Sequence, residues 1–211
     1  MNRRLAPVFF RAALASRCVG HRYNQRMNPS AEFPAPEGAT LVDCTLERHA
    51  DQILAIFNDA IATSTALYDY KPRPRESMDT WFQTKQKGGF PVIGFENAAG
   101  ELMGFASYGT FRAWPAYKYS VEHSVYVDGR HRGLGLGEAL MRALIARARE
   151  RDVHVLVGGI DAANQGSIRL HEKLGFKHAG TLREAGFKFG RWLDLAFYQL
   201  TLDTPANPVD G

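Results

Sequence analysis

Cysteine is scarce in this chain: Cys18 and Cys44 are the two present among 211 residues. Neither belongs to a metal-binding or redox motif, which excludes a disulfide-framed scaffold and a cysteine-zinc module. Cys44 alternates with apolar residues in an expected strand and reads as a buried, inert thiol. The histidines lack metal-ligand spacing: His49, His123, His154 and His178 are scattered, so no metal is expected. No apolar run approaches the length needed to span a bilayer, so no membrane partner is expected. The G-x-x-x-x-G-K-[ST] loop of nucleoside triphosphate enzymes is missing too.

Acidic residues are absent from the first 26 positions, which carry Arg3, Arg4, Arg11, Arg17, Arg22 and Arg26 and no lysine. The formal net charge of +4 therefore misleads: without those six arginines the remainder stands at −2. Such a body offers no argument for a nucleic-acid partner. An Arg-rich, acid-free segment with interleaved Ala and Phe has the composition of a mitochondrial presequence. The alternative, which we prefer, is a start read too early, with Met27 as the true start and a cytoplasmic protein. Residues 1–37, including the Pro-rich leader, are set apart as an N-terminal extension. Residues 38–203 are expected to form the domain, and 204–211 a flexible tail.

The pattern of apolar residues predicts an α/β protein. A strand is expected over Ala39–Thr45, then a helix over Leu46–Thr63 capped by Thr45. A proline-broken loop and a short helix, Arg75–Lys87, follow. Two strands flank Ala98-Ala99-Gly100 as a hairpin, and a third runs from Tyr117 to Val127. Beyond them come a helix with the face Leu140, Met141, Leu144, Ile145 and Ala148, a strand to Ile160, and a short helix ended by Gly175. Two last strands, Lys177–Leu182 and Arg191–Leu202, complete a central twisted mixed sheet with helices on both faces.

Between the third of these strands and the helix stands VDGRHRGLGLGEAL, Val127 to Leu140. Glycines at this density cost backbone entropy. Between a strand and a helix they present bare amides to a phosphate at the helix N-terminus. A dinucleotide fingerprint counted from Gly133 needs a third glycine where Glu138 stands, so it fails. What remains is R-x-x-G-x-G, formed by Arg132, Gly135 and Gly137.

That loop resembles the pyrophosphate-binding loop of the GNAT acetyltransferase superfamily. YSVEHSVYV, RHRGLGLG, SIRLHEKLGF and GFKFGRWLDLAFYQL together are similar, in order and spacing, to its phosphinothricin and methionine sulfone/sulfoximine N-acetyltransferase branch. The resemblance covers about Thr40 to Leu202. It implies the GNAT fold, acetyl-CoA as cosubstrate, a small amino-acid-like amine as acceptor, direct attack in a ternary complex, and a homodimer.

Strand alternation places Glu122, Ser124 and Tyr126 on one face and Val121, His123, Val125 and Val127 on the other. A lone carboxylate on such a strand, just before a phosphate loop, suits a general base, and the family's catalytic glutamate matches Glu122. An ordinary glutamate, near about 4.3, is poorly matched to an ammonium near about 8–10. Glu122 is therefore expected to act with a raised pKa or through water. The resemblance assigns Val125, Tyr126 and Val127 to the pantetheine arm, beside a splay between neighbouring strands. It assigns Arg132, Gly133, Leu134, Gly135, Leu136, Gly137 and Glu138 to the pyrophosphate, with Arg130 and His131 flanking the loop or touching the 3′-phosphate. Asn164 matches the asparagine that bonds the pantetheine, and is also a helix-cap candidate. His171 stands where many GNAT enzymes have a tyrosine that protonates the leaving thiolate; proton donor and packed histidine are both open to it. The acceptor's carboxylate calls for an arginine or backbone donors, with Arg112, Trp114 and Tyr117 the candidates. Phe57, Thr65 and Tyr68 are set on the opposite side. Lys188, Arg191 and Trp192 are candidates to reach a neighbouring subunit's site.

Overall fold

The computed structural model describes residues 35–210. The presequence or early-start reading of the arginine-rich segment, and Cys18, lie outside the described residues. Seven strands form one sheet: β1 (Thr40–Asp43), β2 (Val92–Glu96), β3 (Leu102–Thr110), β4 (Ser120–Val127), β5 (Val155–Asp161), β6 (Lys177–Lys188) and β7 (Arg191–Thr201). Their order is β1-β2-β3-β4-β5-β7-β6. Every neighbouring pair is antiparallel except β4 and β5, which run parallel. The expected mixed α/β sheet is present.

One face carries α1 (Leu46–Thr63) and α2 (Ser77–Lys87), whose Ile53, Ile56, Phe57 and Met78 pack on Val92, Leu102 and Phe105. The other carries α3 (Leu136–Arg149) and α4 (Gln165–Lys173). Leu140, Met141, Leu144 and Ile145 of α3 bury against Ile93, Met103, Ala106 and Leu156, the stripe expected from helical spacing. Thr45 caps α1, accepting the Arg48 N–H at 3.3 Å, so it leaves the strand that was expected to include it. The same turn is fastened to the sheet. The Thr45 N–H donates to His49 Nδ1, and His49 Nε2 donates to the buried Glu96 carboxylate, each at 2.9 Å. Cys44 is half-buried, and burial first, then the Glu96 charge, push its thiol up to about 12, consistent with an inert role.

Two expectations change. The strand after Gly175 does not stop at Leu182 but continues to Lys188 and turns directly into β7. Phe189 and Gly190, with φ of 51° and 73°, make a two-residue turn whose twist suits a hairpin. Register shifts at Gly180 and between Leu182 and Gly186 break the alternation that would have revealed the strand. The tail, expected to be loose, is tied down. His154 Nδ1 donates to the Thr204 carbonyl at 2.8 Å, Thr204 bonds Val153, and the Val209 N–H donates to the Tyr119 hydroxyl at 3.2 Å. Polar groups at the end of the α3–β5 connection supply partners that composition alone does not announce.

Candidate active site

The parallel pairing of β4 with β5 covers three residue pairs, Ser120 with Val155, Val121 with Leu156 and Glu122 with Val157. Beyond them β4 stays with β3 as far as Val127, while β5 stays with β7 as far as Asp161. The sheet therefore opens into a wedge immediately after Glu122. A cavity of about 490 Å³ occupies it, lined by Glu122 to Tyr126, Gly158 to Asp161, Asn164 and His171 among others. Strand alternation places Glu122 and His123 on opposite faces, yet both border this cavity, because it passes through the opened sheet.

Two glycines keep the wedge clear. A Cβ on Gly158 would stand 2.9 Å from His123 Cε1 and 3.1 Å from His171 Nε2. One on Gly159 would stand 3.2 Å from Leu195 Cδ1 and 3.4 Å from Glu122 Oε1. Glu122 is half-buried, and that burial raises its carboxyl above the ordinary value while the Arg112 charge pulls it down. The raised pKa expected of a base is thus present, with desolvation as its cause.

His123 and His171 meet across the wedge, Nε2 to Nε2 at 2.9 Å, both buried. His171 Nδ1 donates to the Ser167 carbonyl at 2.7 Å, which leaves its Nε2 as acceptor. The shared proton then belongs to His123, whose buried Nδ1 has no hydrogen-bond partner among the described residues. Burial holds both imidazoles below their ordinary values, His123 down to about 3. Sequence alternation gave no hint of this pair, since the two residues are brought together by the packing of α4 on the sheet.

The expected pyrophosphate loop is open backbone. Gly133 and Gly135 hold φ of 83° and 78°, a region that strains any other residue, and among the described residues nothing beyond their chain neighbours lies within 4 Å of a Cβ built on either. Gly135 caps α3, so the first-turn amides of Leu136, Gly137 and Glu138 have no partner inside the helix. These donors, the positive end of the helix and the exposed Arg132 fit an anionic pyrophosphate. Arg130 is instead bound back to Asp128, at 3.0 and 2.9 Å. Glu138 turns its carboxylate away to Arg142 and Lys173, bracing α3 against α4. Asn164 caps α4, accepting the Ser167 N–H at 3.1 Å, and also lines the cavity.

The opposite wall is the loop after α1. Thr65 and Tyr68 line it as expected, and Phe57 supports it from beneath, edge-on to Tyr126 at 5.2 Å. Two residues fasten this loop. Asp161 accepts from Thr65 Oγ1 at 2.6 Å and from Arg191 at 3.1 Å. Lys188 donates to the carbonyls of Ile61, Ser64 and Leu67 at 2.7, 2.9 and 2.7 Å. Lys188 and Arg191, expected as candidates for a neighbour's site, are thus committed to their own chain's loop. Arg112, Trp114 and Tyr117 lie exposed on the segment after Thr110, outside the cavity wall. The Arg112 guanidinium donates to the Phe111 carbonyl at 2.9 Å. Lys85 and Asp161 went unnoticed in the sequence, where nothing separates them from other charged residues. Among the described residues, no group of three His, Cys, Asp or Glu could hold a metal, and no helix is long and apolar enough to cross a membrane.

The Acetyltransferase (GNAT) family profile matches residues 53–176, which span α1, the wedge, the glycine loop and α4. The chain belongs to this family. The acetyltransferase is 47% identical over 151 residues to the L-methionine sulfoximine/L-methionine sulfone acetyltransferase of Pseudomonas aeruginosa, covering 72% of this chain and 88% of that one. Its fold matches an N-acetyltransferase of Staphylococcus aureus Mu50 with a TM-score of 0.75 and 48% identity, covering 77% of this chain and 98% of that one. A phosphinothricin acetyltransferase from Sinorhizobium meliloti, solved in complex with acetyl-CoA, matches with a TM-score of 0.77 and 32% identity, covering 81% and 92% of the two chains.

Proposed function

We propose that this acetyltransferase moves an acetyl group from acetyl-CoA to the amino group of a small amino acid of the methionine sulfone, methionine sulfoximine or phosphinothricin kind. The observation that carries the reading is a half-buried glutamate at the mouth of a wedge that leads to an open, glycine-lined helix N-terminus. Residues 38–203 make up the catalytic domain in this reading.

Acetyl-CoA supplies the acyl group as a thioester. The amides of Gly133 to Glu138, with Arg132, hold its pyrophosphate. The exposed backbone of Val125, Tyr126 and Val127 and the side chain of Asn164 hold the arm in the wedge, much as a sheet edge receives an added strand. Glu122 takes the proton of the acceptor ammonium, directly or through a water; its raised pKa narrows the gap to the amine. Attack then occurs within a ternary complex, and among the described residues no cysteine lines the cavity to form a covalent intermediate. His171, with Nδ1 on the Ser167 carbonyl and Nε2 on His123, packs beside the leaving thiolate, which takes the second proton shed by the attacking nitrogen. Arg112, Trp114 and Tyr117 contact the acceptor's side chain from the segment after Thr110. Exposed Phe187, Phe189 and Trp192 at the β6–β7 turn support a homodimer, and a cytoplasmic location belongs to the same reading.

Glu122→Gln is the test. Turnover should fall about 100-fold or more, with the dissociation constant for acetyl-CoA unchanged. In the parent enzyme the rate should fall as pH drops through the Glu122 pKa, because only the ionised carboxylate accepts a proton, and the variant should lose that limb. Equal turnover in the variant removes the base assignment.

A further inference from the structure

Among the described residues, one ammonium or guanidinium borders the cavity, and it is Lys85 of α2. Its stem runs beside Trp81 and Phe90, with Nζ 5.3 and 5.9 Å from the two ring centroids. Nζ donates to the Tyr108 carbonyl at 2.8 Å. That is the single hydrogen-bond acceptor it finds among the described residues, and an ammonium carries three N–H bonds. No described carboxylate pairs with it, so its charge is left for something that enters the cavity.

Its position relative to the base follows from the sheet register. Gly109 of β3 is the cross-strand partner of Glu122, so their Cα–Cβ directions share one face of the sheet. A Cβ on Gly109 would lie 3.6 Å from Lys85 Nζ. Lys85 Nζ and the Glu122 side chain therefore stand on the same face, one strand apart. Between them lies bare glycine, where an added Cβ would meet the ammonium in ordinary van der Waals contact.

We infer that Lys85 binds the carboxylate of an α-amino acid acceptor and so delivers its amine to Glu122. The assignment rests on the function proposed above and names the feature that selects its substrates. An α-amino acid carries a cation and an anion on adjacent carbons, and this cavity presents an anion and a cation one strand apart. The Arg112 charge is felt at Glu122, but its guanidinium is exposed, turned onto the Phe111 carbonyl and ring, and stands outside the cavity wall. Desolvation explains why the contact is strong enough to select. The half-buried Lys85 ammonium has given up part of its water, and a carboxylate restores the lost interactions in the form of a charge-assisted hydrogen bond. An amine that lacks the carboxylate gains nothing from it.

The test compares two substrates on three enzymes. L-methionine sulfone carries the carboxylate; 3-(methylsulfonyl)propylamine is the same molecule without it. Lys85→Met removes both charge and donor, while Lys85→Gln removes the charge and keeps a donor for Tyr108. Both variants should raise KM for L-methionine sulfone about 10- to 100-fold, the loss of one charge-assisted bond. Its kcat should stay within about threefold. For the carboxyl-free amine, kcat/KM should be the same in all three enzymes, as should the dissociation constant for acetyl-CoA. A variant that loses activity equally on both substrates, or on neither, overturns the assignment and leaves the acetyltransferase reading intact. A parent enzyme that acetylates the bare amine as well as the amino acid overturns the amino-acid reading itself. If Lys85→Met does not fold, Lys85→Gln decides the matter by the same comparison.

Discussion

The site depends on single groups in contact, and one methyl group is enough to disturb it. Gly158 is buried against both imidazoles, so Gly158→Ala places a Cβ where His123 and His171 now meet. Separating the rings breaks their hydrogen bond, and overpacking of this kind costs about 1–3 kcal/mol. We expect kcat/KM to fall at least tenfold. Gly159→Ala, whose nearest contacts are 3.2 and 3.4 Å, should be milder because the tip of Leu195 can move. Kinetics of the two variants side by side check this; a reversed order would show that the imidazole pair is not the sensitive contact. Glu122 itself was legible as a lone carboxylate on a Tyr/Val/Ser strand. Its imidazole neighbours were not, since alternation puts His123 on the opposite face and only the open wedge brings that face to the cavity.

The elements contribute through where they stop pairing. Had β4 and β5 paired along their whole length, the amides of Val125 and Val127 that face away from β3 would be spent on the sheet. The wedge leaves one loop, from the end of α1 to Tyr68, as its far wall, and the β6–β7 hairpin holds that loop through Lys188. Lys188→Met strips three carbonyls, one buried and two part-buried, of their donor. Leaving such acceptors unsatisfied should lower stability by about 2–4 kcal/mol, read as a shift in the urea midpoint. The KM for the acceptor should rise as the loop loosens, while acetyl-CoA affinity should hold, since the glycine loop lies elsewhere. A loss below about 1 kcal/mol would mean that water replaces the ammonium. The bonds were invisible in the sequence because Lys188 follows an irregular strand and its partners are backbone atoms about 120 positions earlier.

For the whole molecule, the buried imidazoles tie stability to pH. His123 is neutral in the folded state down to about 3, whereas in the unfolded chain it takes a proton near about 6.5. Between those values the unfolded state binds more protons. Stability should therefore be complete above about pH 6.5 and fall as pH drops below it, by at most about 1.4 kcal/mol per unit for this one group. Asp128, Glu138 and Asp161 have folded values held below the ordinary carboxylate range, so their contribution is lost only at lower pH. Urea midpoints at pH 7.5 and 5.5 isolate the imidazoles, and His123→Asn should flatten the difference. An unchanged slope in that variant would assign it to other groups.

Helical and strand periodicities, proline breaks and glycine caps are local properties, and from them the element order, the mixed sheet and the base strand could be read. The glycine loop was legible for the same reason: its spacing excludes the dinucleotide and triphosphate loops, while the coenzyme A reading came from the resemblance to GNAT enzymes. Local pattern is silent on how far two strands stay paired, and that length is what opens the wedge. It is equally silent on which charge from a distant helix reaches the cavity floor. Lys85, Asp161, the His123–His171 pair and the Lys188 clasp all join segments far apart in the chain. Their positions follow from packing helices on both faces of one twisted sheet, a condition met by the whole chain together and by no segment of it alone.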